Sequence, residues 1–424
     1  MSNLRVCLLI GGYFPVVGGG ETQMRLLMRA LSARGLECQV VTQRRPADAA
    51  AREDVDGIPV SRVWPSGKNR SGKYLMMAPS LFRLFALRDR YDVILVSGIR
   101  TLGVVGVLAA SWFGKRCVLR MASCGEMSGG YLARDGQPVP GWMRLLVGAR
   151  NGILRKADRF LAVSRVVREE YVACGVDPGR IEWIPNGTDV TVYRPVDDES
   201  RAAMRTKLEL PADPFLCVFT GKLNRGKGLE MLLRAWKRWV DLRSSGLAVR
   251  GKDLSGETAG HSERAIHLVL VGGGGQQAMS CESELRRFVR DHALESDVTF
   301  TGYTTNVVEY LQAADLFLLP SDSEAMPNSL IEAMASGLPC IASAVGGVLD
   351  ILEDGRNGRT HAAGDEDRLL ELLVELHADE AQRSRLATAA RSDAERVYAR
   401  DVNVDKVVAL LAAAHAGSEV ARAL

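Results

Sequence analysis

Two carboxylates share one short segment, Ser321-Asp322-Ser323-Glu324-Ala325-Met326-Pro327-Asn328-Ser329-Leu330-Ile331-Glu332, which follows an apolar run ending at Pro320. The order reads as strand, loop and helix. Pro327 suits the first turn of a helix and Gly337 with Pro339 ends it, so Glu324 falls on the loop and Glu332 inside the helix. A helix N-terminus at the carboxyl edge of a parallel sheet offers N–H groups and the positive end of a dipole, a natural seat for a diphosphate. Glu324 is then placed to accept hydrogen bonds from sugar hydroxyls, and Glu332 from ribose hydroxyls. Plainer roles compete: Ser329 and Glu332 have the S-x-x-E spacing of a capping box, and Glu324 also suits a solvated loop.

A second candidate stands earlier, Gly221-Lys222-Leu223-Asn224-Arg225-Gly226-Lys227-Gly228, again straight after an apolar run. Lys222, Arg225 and Lys227 lie in a glycine-rich turn where backbone and cations both approach phosphate oxygens. It is not a Walker loop, because Gly228 stands where Ser or Thr must follow Lys227. A basic surface turn is the alternative.

Two further glycine-rich loops follow strands. Gly11 to Glu21 carries Gly18, Gly19 and Gly20, and a tetraglycine runs from Gly272 through Gly273 to Gly275. Neither is a dinucleotide fingerprint, since the third glycine is replaced by Gln23 in one and Gln277 in the other. Each serves equally as a tight turn.

The elements that carry these loops alternate between short β-rich runs and longer amphipathic runs, the pattern of βαβ units and parallel sheets. Strands are predicted at 5–10, 37–42, 92–97, 116–121, 159–163 and 182–184, then at 215–220, 267–271, 297–301, 315–319 and 339–343. A helix at 21–34 places Met24, Leu27, Met28 and Leu31 on one face and stops at Gly35. The polar stretch 193–213, with Pro195 and Pro211, reads as an interdomain linker. Residues 244–265 read as an exposed insertion, and everything from Asp365 onward as helix.

A chain of 424 residues suits two domains. With 47% hydrophobic and 25% charged residues it is neither disordered nor fibrous. Eight scattered cysteines, without a C-x-x-C pair, indicate reduced thiols and no zinc site. The longest apolar run, 102–113, falls short of the roughly 20 residues that span a bilayer. Residues 1–200 hold 28 Lys and Arg against 19 Asp and Glu, while 201–424 hold 26 against 32, so the halves carry +9 and −6. Two basic amphipathic stretches, 62–90 and 142–168, suit an anionic lipid surface or, alternatively, a core face with a solvated back.

In this order the motifs resemble the family-4 retaining glycosyltransferases (group 1). These have the α/β fold called GT-B, two facing Rossmann-like domains with parallel sheets and an interdomain cleft. The resemblance rests on Gly18 to Gly20, the run Ala157 to Ser164, Ile184-Pro185-Asn186-Gly187, Gly221-Lys222 with Lys227-Gly228, Leu270 to Gly274, and the Glu324/Glu332 pair with seven residues between. It implies domains at 1–195 (acceptor) and 196–400 (nucleotide sugar), and a C-terminal helix at 401–424 packing back on the first domain.

It further implies that Lys222 and Lys227 bind the diphosphate, Glu324 the donor sugar and Glu332 the ribose. Gly221, Gly273, Met326, Asn328, Ser329, Tyr303 and Thr304 complete the donor site, the last two near the base. Gly18, Gly19 and Gly20 form the acceptor and diphosphate loop. The expected reaction is metal-independent transfer from a nucleotide diphosphate sugar, a UDP-sugar before a GDP-sugar. The acceptor is a glycan or a lipid-linked molecule in cell-surface polysaccharide or glycolipid synthesis. The sugar nucleotide is a substrate, so no cofactor is expected; an anionic membrane surface is an expected partner and nucleic acid is not. The implied place is the cytoplasm, peripheral to the inner face of the cell membrane. One departure is notable: relatives often carry a first-domain His after the fourth strand, whereas here Arg120-Met121-Ala122-Ser123-Cys124-Gly125-Glu126 stands there, with Ser123 or Glu126 expected to replace it. A GT-B epimerase, a phosphorylase-like enzyme, or an inactive nucleotide-sugar-binding protein is the competing reading.

Overall fold

The computed structural model describes residues 4–67, 71–132, 140–245, 264–275 and 279–423. Most of the insertion at 244–265, together with His261, Gln277, Lys68 and Arg70, lies outside them. The chain divides into two compact units, Met1–Gly187 with Arg400–Leu424, and Thr188–Ala399.

The first unit is built on an eight-stranded sheet of β1 (Arg5–Ile10), β2 (Glu37–Gln43), β3 (Arg52–Val55), β4 (Ile58–Val63), β5 (Val93–Ser97), β6 (Arg116–Arg120), β7 (Arg159–Ala162) and β8 (Ile181–Trp183). Their order is β3-β4-β2-β1-β5-β6-β7-β8, and every pair is parallel except β3 with β4. Strand order reverses between β1 and β5, leaving a crevice at their carboxyl ends. Every residue of β5 is buried, as a parallel strand covered on both faces requires. The helix Gly19–Ala33 buries Met24, Leu27, Met28 and Leu31, and Gly35 beyond it takes the left-handed φ of 85°.

The second unit holds β9 (Phe215–Thr220), β10 (Ile266–Val271), β11 (Val298–Gly302), β12 (Leu316–Leu319), β13 (Cys340–Ser343) and β14 (Arg359–His361) in the order β11-β10-β9-β12-β13-β14, all parallel. This is the Rossmann order, and its reversal lies between β9 and β12. Trp236 and Trp239 of the helix Leu229–Ser245 meet edge-on at 5.1 Å and are buried. Burial of each such side chain stabilises the unit by roughly 1.5–3 kcal/mol or more.

The expected linker at 193–213 is instead part of the second unit. Asp197 caps the helix Asp198–Lys207 by accepting from Ser200 N at 2.8 Å. From that helix Arg205, its side chain 4% exposed, donates to Asp315 Oδ2 at 2.8 Å and to the carbonyls of Ala313 and Ala212. A buried guanidinium needs such partners, and they fasten the segment down. The expected boundary at 195 also moves to 187, because Thr188 N donates to Tyr398 O, and Arg391 donates to the carbonyls of Tyr193 and Val190. The C-terminal helix Arg400–Ala423 belongs to the first unit, where it packs on β6 and on the helix Gly19–Ala33. No helix among the described residues is long and apolar enough to cross a membrane.

Candidate active site

Two loops follow the strands that flank the reversal in the second unit. After β9, Gly221 leads into Lys222 to Gly228; after β12, Pro320 leads into Ser321 to Pro327. They are fastened to one another: Asp322 N donates to Gly226 O at 3.0 Å, and Gly228 lies so close to Pro320 that a Cβ would stand 1.8 Å from its carbonyl oxygen. With φ at 64°, Gly228 is required for both conformation and space. On the other side the first loop is tied to the tetraglycine loop, Cys281 N donating to Leu223 O and Arg225 N to Met279 O.

This bracing brings Lys227 and Glu324 together. Lys227 Nζ lies 2.6 Å from Glu324 Oε1, with the lysine side chain 31% and the glutamate 11% exposed. The other side of the Glu324 loop rests on Gly346 and Gly347. Gly347 N donates to Glu324 O at 2.9 Å, and a Cβ on either glycine would come within 2.0 Å of a carbonyl of that loop. The Gly-Gly pair after β13 is the signal in the sequence for this support.

Lys222 is exposed and has no ion-pair partner among the described residues. Arg225 is drawn aside to Glu284 Oε1, 2.9 Å away. Gly221 and Gly272 are in backbone contact, and Gly272 bridges to Gly302. Gly273 thereby faces the start of the Gly302, Tyr303, Thr304 turn, its Cβ position 3.3 Å from Tyr303 N. Tyr303 is two-thirds exposed, and Thr304 Oγ1 accepts from Asn306 N.

The helix Asn328–Ala335 starts at Pro327 with no side-chain cap, so Ser329 is inside the first turn and the capping box does not form. The N–H groups of Ser329 and Leu330 have no acceptor within the helix. Glu332 is half-buried, and desolvation pushes its carboxyl up to about 7. Met326, on the same loop, is 7% exposed.

In the first unit, Gly18 precedes the helix Gly19–Ala33 as an extended N-cap with no side-chain bond, and Gly19 and Gly20 open its first turn. Glu126, at the wall of the first-unit cavity, is 3% exposed. Its oxygens accept from Ile99 N, Ala122 N, Ser123 N and Ser123 Oγ at 2.7–3.2 Å, so it organises the loop from within. Glu170 pins the same loop through the N–H groups of Gly125, Met127 and Ser128. Ser123 Oγ also accepts from Arg100 at 2.9 Å. Arg120 is buried, bonded to Ser97 Oγ and Asn186 Oδ1, and desolvation lowers its guanidinium to about 10. Arg100, Arg120 and Glu170 had no motif to mark them.

Residues 17–192 match the family model described as Glycosyltransferase Family 4, and residues 214–379 match the model described as Glycosyl transferases group 1. The chain belongs to the family-4 glycosyltransferases.

This glycosyltransferase is 28% identical over 364 residues to D-inositol 3-phosphate glycosyltransferase 2 of Catenulispora acidiphila, covering 82% of its own chain and 79% of the relative. It is 28% identical over 397 residues to the D-inositol 3-phosphate glycosyltransferase of Xylanimonas cellulosilytica, with coverages of 89% and 88%. Among solved structures it resembles sucrose-phosphate synthase from Thermosynechococcus elongatus at a TM-score of 0.78 and 24% identity, covering 97% of this chain and 100% of that one. It resembles Anabaena Alr3699/HepE in complex with UDP at a TM-score of 0.73 and 18% identity, again covering 97% and 100%. The glycosyltransferase therefore has the GT-B fold.

Proposed function

We propose that the enzyme transfers a glycosyl residue, with retention at the anomeric carbon and without a metal, from a UDP-sugar, or next a GDP-sugar, to a glycan or lipid-linked acceptor. The observation that carries this reading is the Lys227–Glu324 pair beside an uncapped helix N-terminus at the strand reversal of the second unit. Lys227, Lys222 and the N–H groups of Ser329 and Leu330 meet the diphosphate, Glu324 the sugar and Glu332 the ribose. As the bond from the anomeric carbon to the diphosphate oxygen breaks, negative charge grows on the leaving oxygen and the cations stabilise it. The acceptor oxygen bonds to the same carbon on the same face, and its proton passes to the departing diphosphate. A UDP donor agrees with the UDP held by Anabaena Alr3699/HepE.

Surface chemistry supports a role at an anionic membrane in cell-surface glycan or glycolipid synthesis. The helices Met77–Ala86, Leu102–Phe113 and Gly141–Leu154 pack side by side and expose Phe82 (74%), Trp112 (63%), Trp142 (60%) and Leu145 (77%), with Arg88 and Arg144 among them. All eight cysteines are free, which suits a reducing cytoplasm.

A thermal-shift panel of UDP-, GDP- and ADP-sugars in EDTA tests the donor site, since a bound donor raises apparent stability by mass action. Stabilisation by UDP-sugars in chelator is the expected result. Stabilisation only after magnesium or manganese is added would overturn the metal-free reading, and none with any nucleotide would overturn the donor site.

A further inference from the structure

The crevice at the strand reversal of the first unit opens into a cavity of about 510 Å³, lined by the loops after β1, β2, β5 and β6. Its cations are Arg45 and Arg100. Neither has a carboxylate partner among the described residues, although both are half-buried, where an arginine normally finds one. Arg100 spends one Nη on Ser123 Oγ and lies 4.4 Å over the Tyr131 ring, while its Nε is enclosed with no acceptor.

The carboxylates at this cavity do not cancel that charge. Glu126 is committed to three donors of its own loop and to Ile99 N of the loop after β5, and it faces the buried Arg120 behind Ser97. Among the described residues lining the cavity, Glu21 is the one remaining carboxylate that faces the two arginines. Two helix starts also open on the cavity: Gly20 of Gly19–Ala33, and Thr101 and Leu102 of Leu102–Phe113, and neither helix has a side-chain cap. Their dipole ends add positive potential where the arginines already converge.

Resting on the glycosyl-transfer reading above, we infer that this cavity selects an acceptor bearing an anionic substituent, a phosphate or carboxylate on a polyol or sugar, held by Arg45 and Arg100. Ser123 fixes the Arg100 guanidinium, and Glu126 fixes Ser123, so the loop that replaces the expected histidine becomes the frame of an anion site. The arginines supply planar forks suited to two-oxygen contacts with either group. The relatives named for D-inositol 3-phosphate agree with a phosphorylated acceptor.

Calorimetric titration with UDP present tests this. The probes are D-inositol 3-phosphate, glucose 6-phosphate and glucuronate, each against its neutral parent. At least one anionic probe is expected to bind tenfold or more tighter than its parent, and Arg45→Gln and Arg100→Gln are each expected to remove about tenfold of that preference. Arg100→Lys, which keeps the charge, restores part of it. Displacement of the bound probe by phosphatidylinositol vesicles assigns the anion to a lipid-linked acceptor, and no displacement assigns it to a soluble one. UDP affinity, measured alone, reads the donor site independently and is expected to be unchanged in the variants. Equal binding of every anionic probe and its parent, or an anionic preference that survives both Gln substitutions, overturns the inference. Loss of UDP affinity in the variants also overturns it, because the anion seat then belongs to the donor's diphosphate.

Discussion

Lys227 Nζ and Glu324 Oε1 stand 2.6 Å apart although 97 residues separate them in the chain. The cation assigned to the diphosphate is thus neutralised, before any donor arrives, by the carboxylate assigned to the sugar. A donor has to enter between them and give each a new partner.

That competition sets the behaviour of the two variants. Lys227→Ala is expected to weaken UDP binding and slow transfer together, by about a hundredfold in transfer, because the cation acts on the bound diphosphate and more strongly on the leaving group. Glu324→Gln is expected to lose turnover to a similar degree without weakening UDP, since it releases Lys227. Dissociation constants for UDP and single-turnover rates make the comparison, and wild-type rates in either folded variant contradict that residue's role. Lys227→Ala is also expected to lose about 1 kcal/mol of folding stability, as it strands a mostly buried carboxylate.

Glu332 makes a pH prediction. With its carboxyl raised to about 7, the ionised form that accepts two ribose hydrogen bonds is gained as pH rises through 7. UDP affinity should climb over pH 6–8 in the wild type and climb less in Glu332→Gln. The stability effect has the opposite sign. The folded state holds a proton that the unfolded chain releases from its ordinary value of 4.5, so stability falls as pH rises from 4.5 to 7 and stays lowered above. Parallel melting curves and UDP titrations of both proteins at each pH decide it; identical pH dependence would remove Glu332 from the ribose site.

Gly228 and Gly226 form a matched pair of glycines with left-handed φ, of 64° and 86°. Gly226→Ala meets open space and should cost only the conformational penalty of about 1–2 kcal/mol. Gly228→Ala drives a methyl into the Pro320 carbonyl and should push the two loops apart, costing more stability and at least tenfold in UDP affinity. Chemical denaturation with UDP titration separates the two; equal effects would mean that the Pro320 contact does not position Lys227.

The exposed aromatic and leucine side chains of the first unit predict flotation with anionic liposomes at low salt. Phe82→Ser with Leu145→Ser should abolish it while leaving UDP binding intact. Failure of the wild type to float with vesicles rich in anionic lipid would remove the membrane surface.

Much of this was legible from patterning, and the misses have definite causes. Buried parallel strands such as β5 and β10 announce themselves as unbroken apolar runs. The antiparallel β3–β4 pair went unread because β3 exposes three of its four residues, although Asp56-Gly57, both at positive φ, is a strong hairpin turn signal. The helix Asp198–Lys207 looked like a linker because its anchor is a buried arginine, which sequence alone cannot tell from a solvated one. Glu126 poses the same problem: a loop carboxylate that binds four internal donors and one that faces solvent have the same letter. The glycines at 221, 226 and 228 and the prolines around Glu324 located the donor loops, but the contact between Lys227 and Glu324 is tertiary, and no local pattern encodes it.

The pairing of Thr188 with Ala399 has a consequence for how the chain is made. The polypeptide leaves the first unit and re-enters it through neighbouring backbone positions, so the second unit is threaded into the first as a contiguous insert with its two ends side by side. During synthesis the insert has all of its strands once residue 399 has emerged. The older first unit still lacks the helix that covers β6. The half made first is therefore the half completed last, and a nascent chain stalled when residue 399 has just cleared the ribosome should display a protease-resistant second unit joined to an unfinished first one.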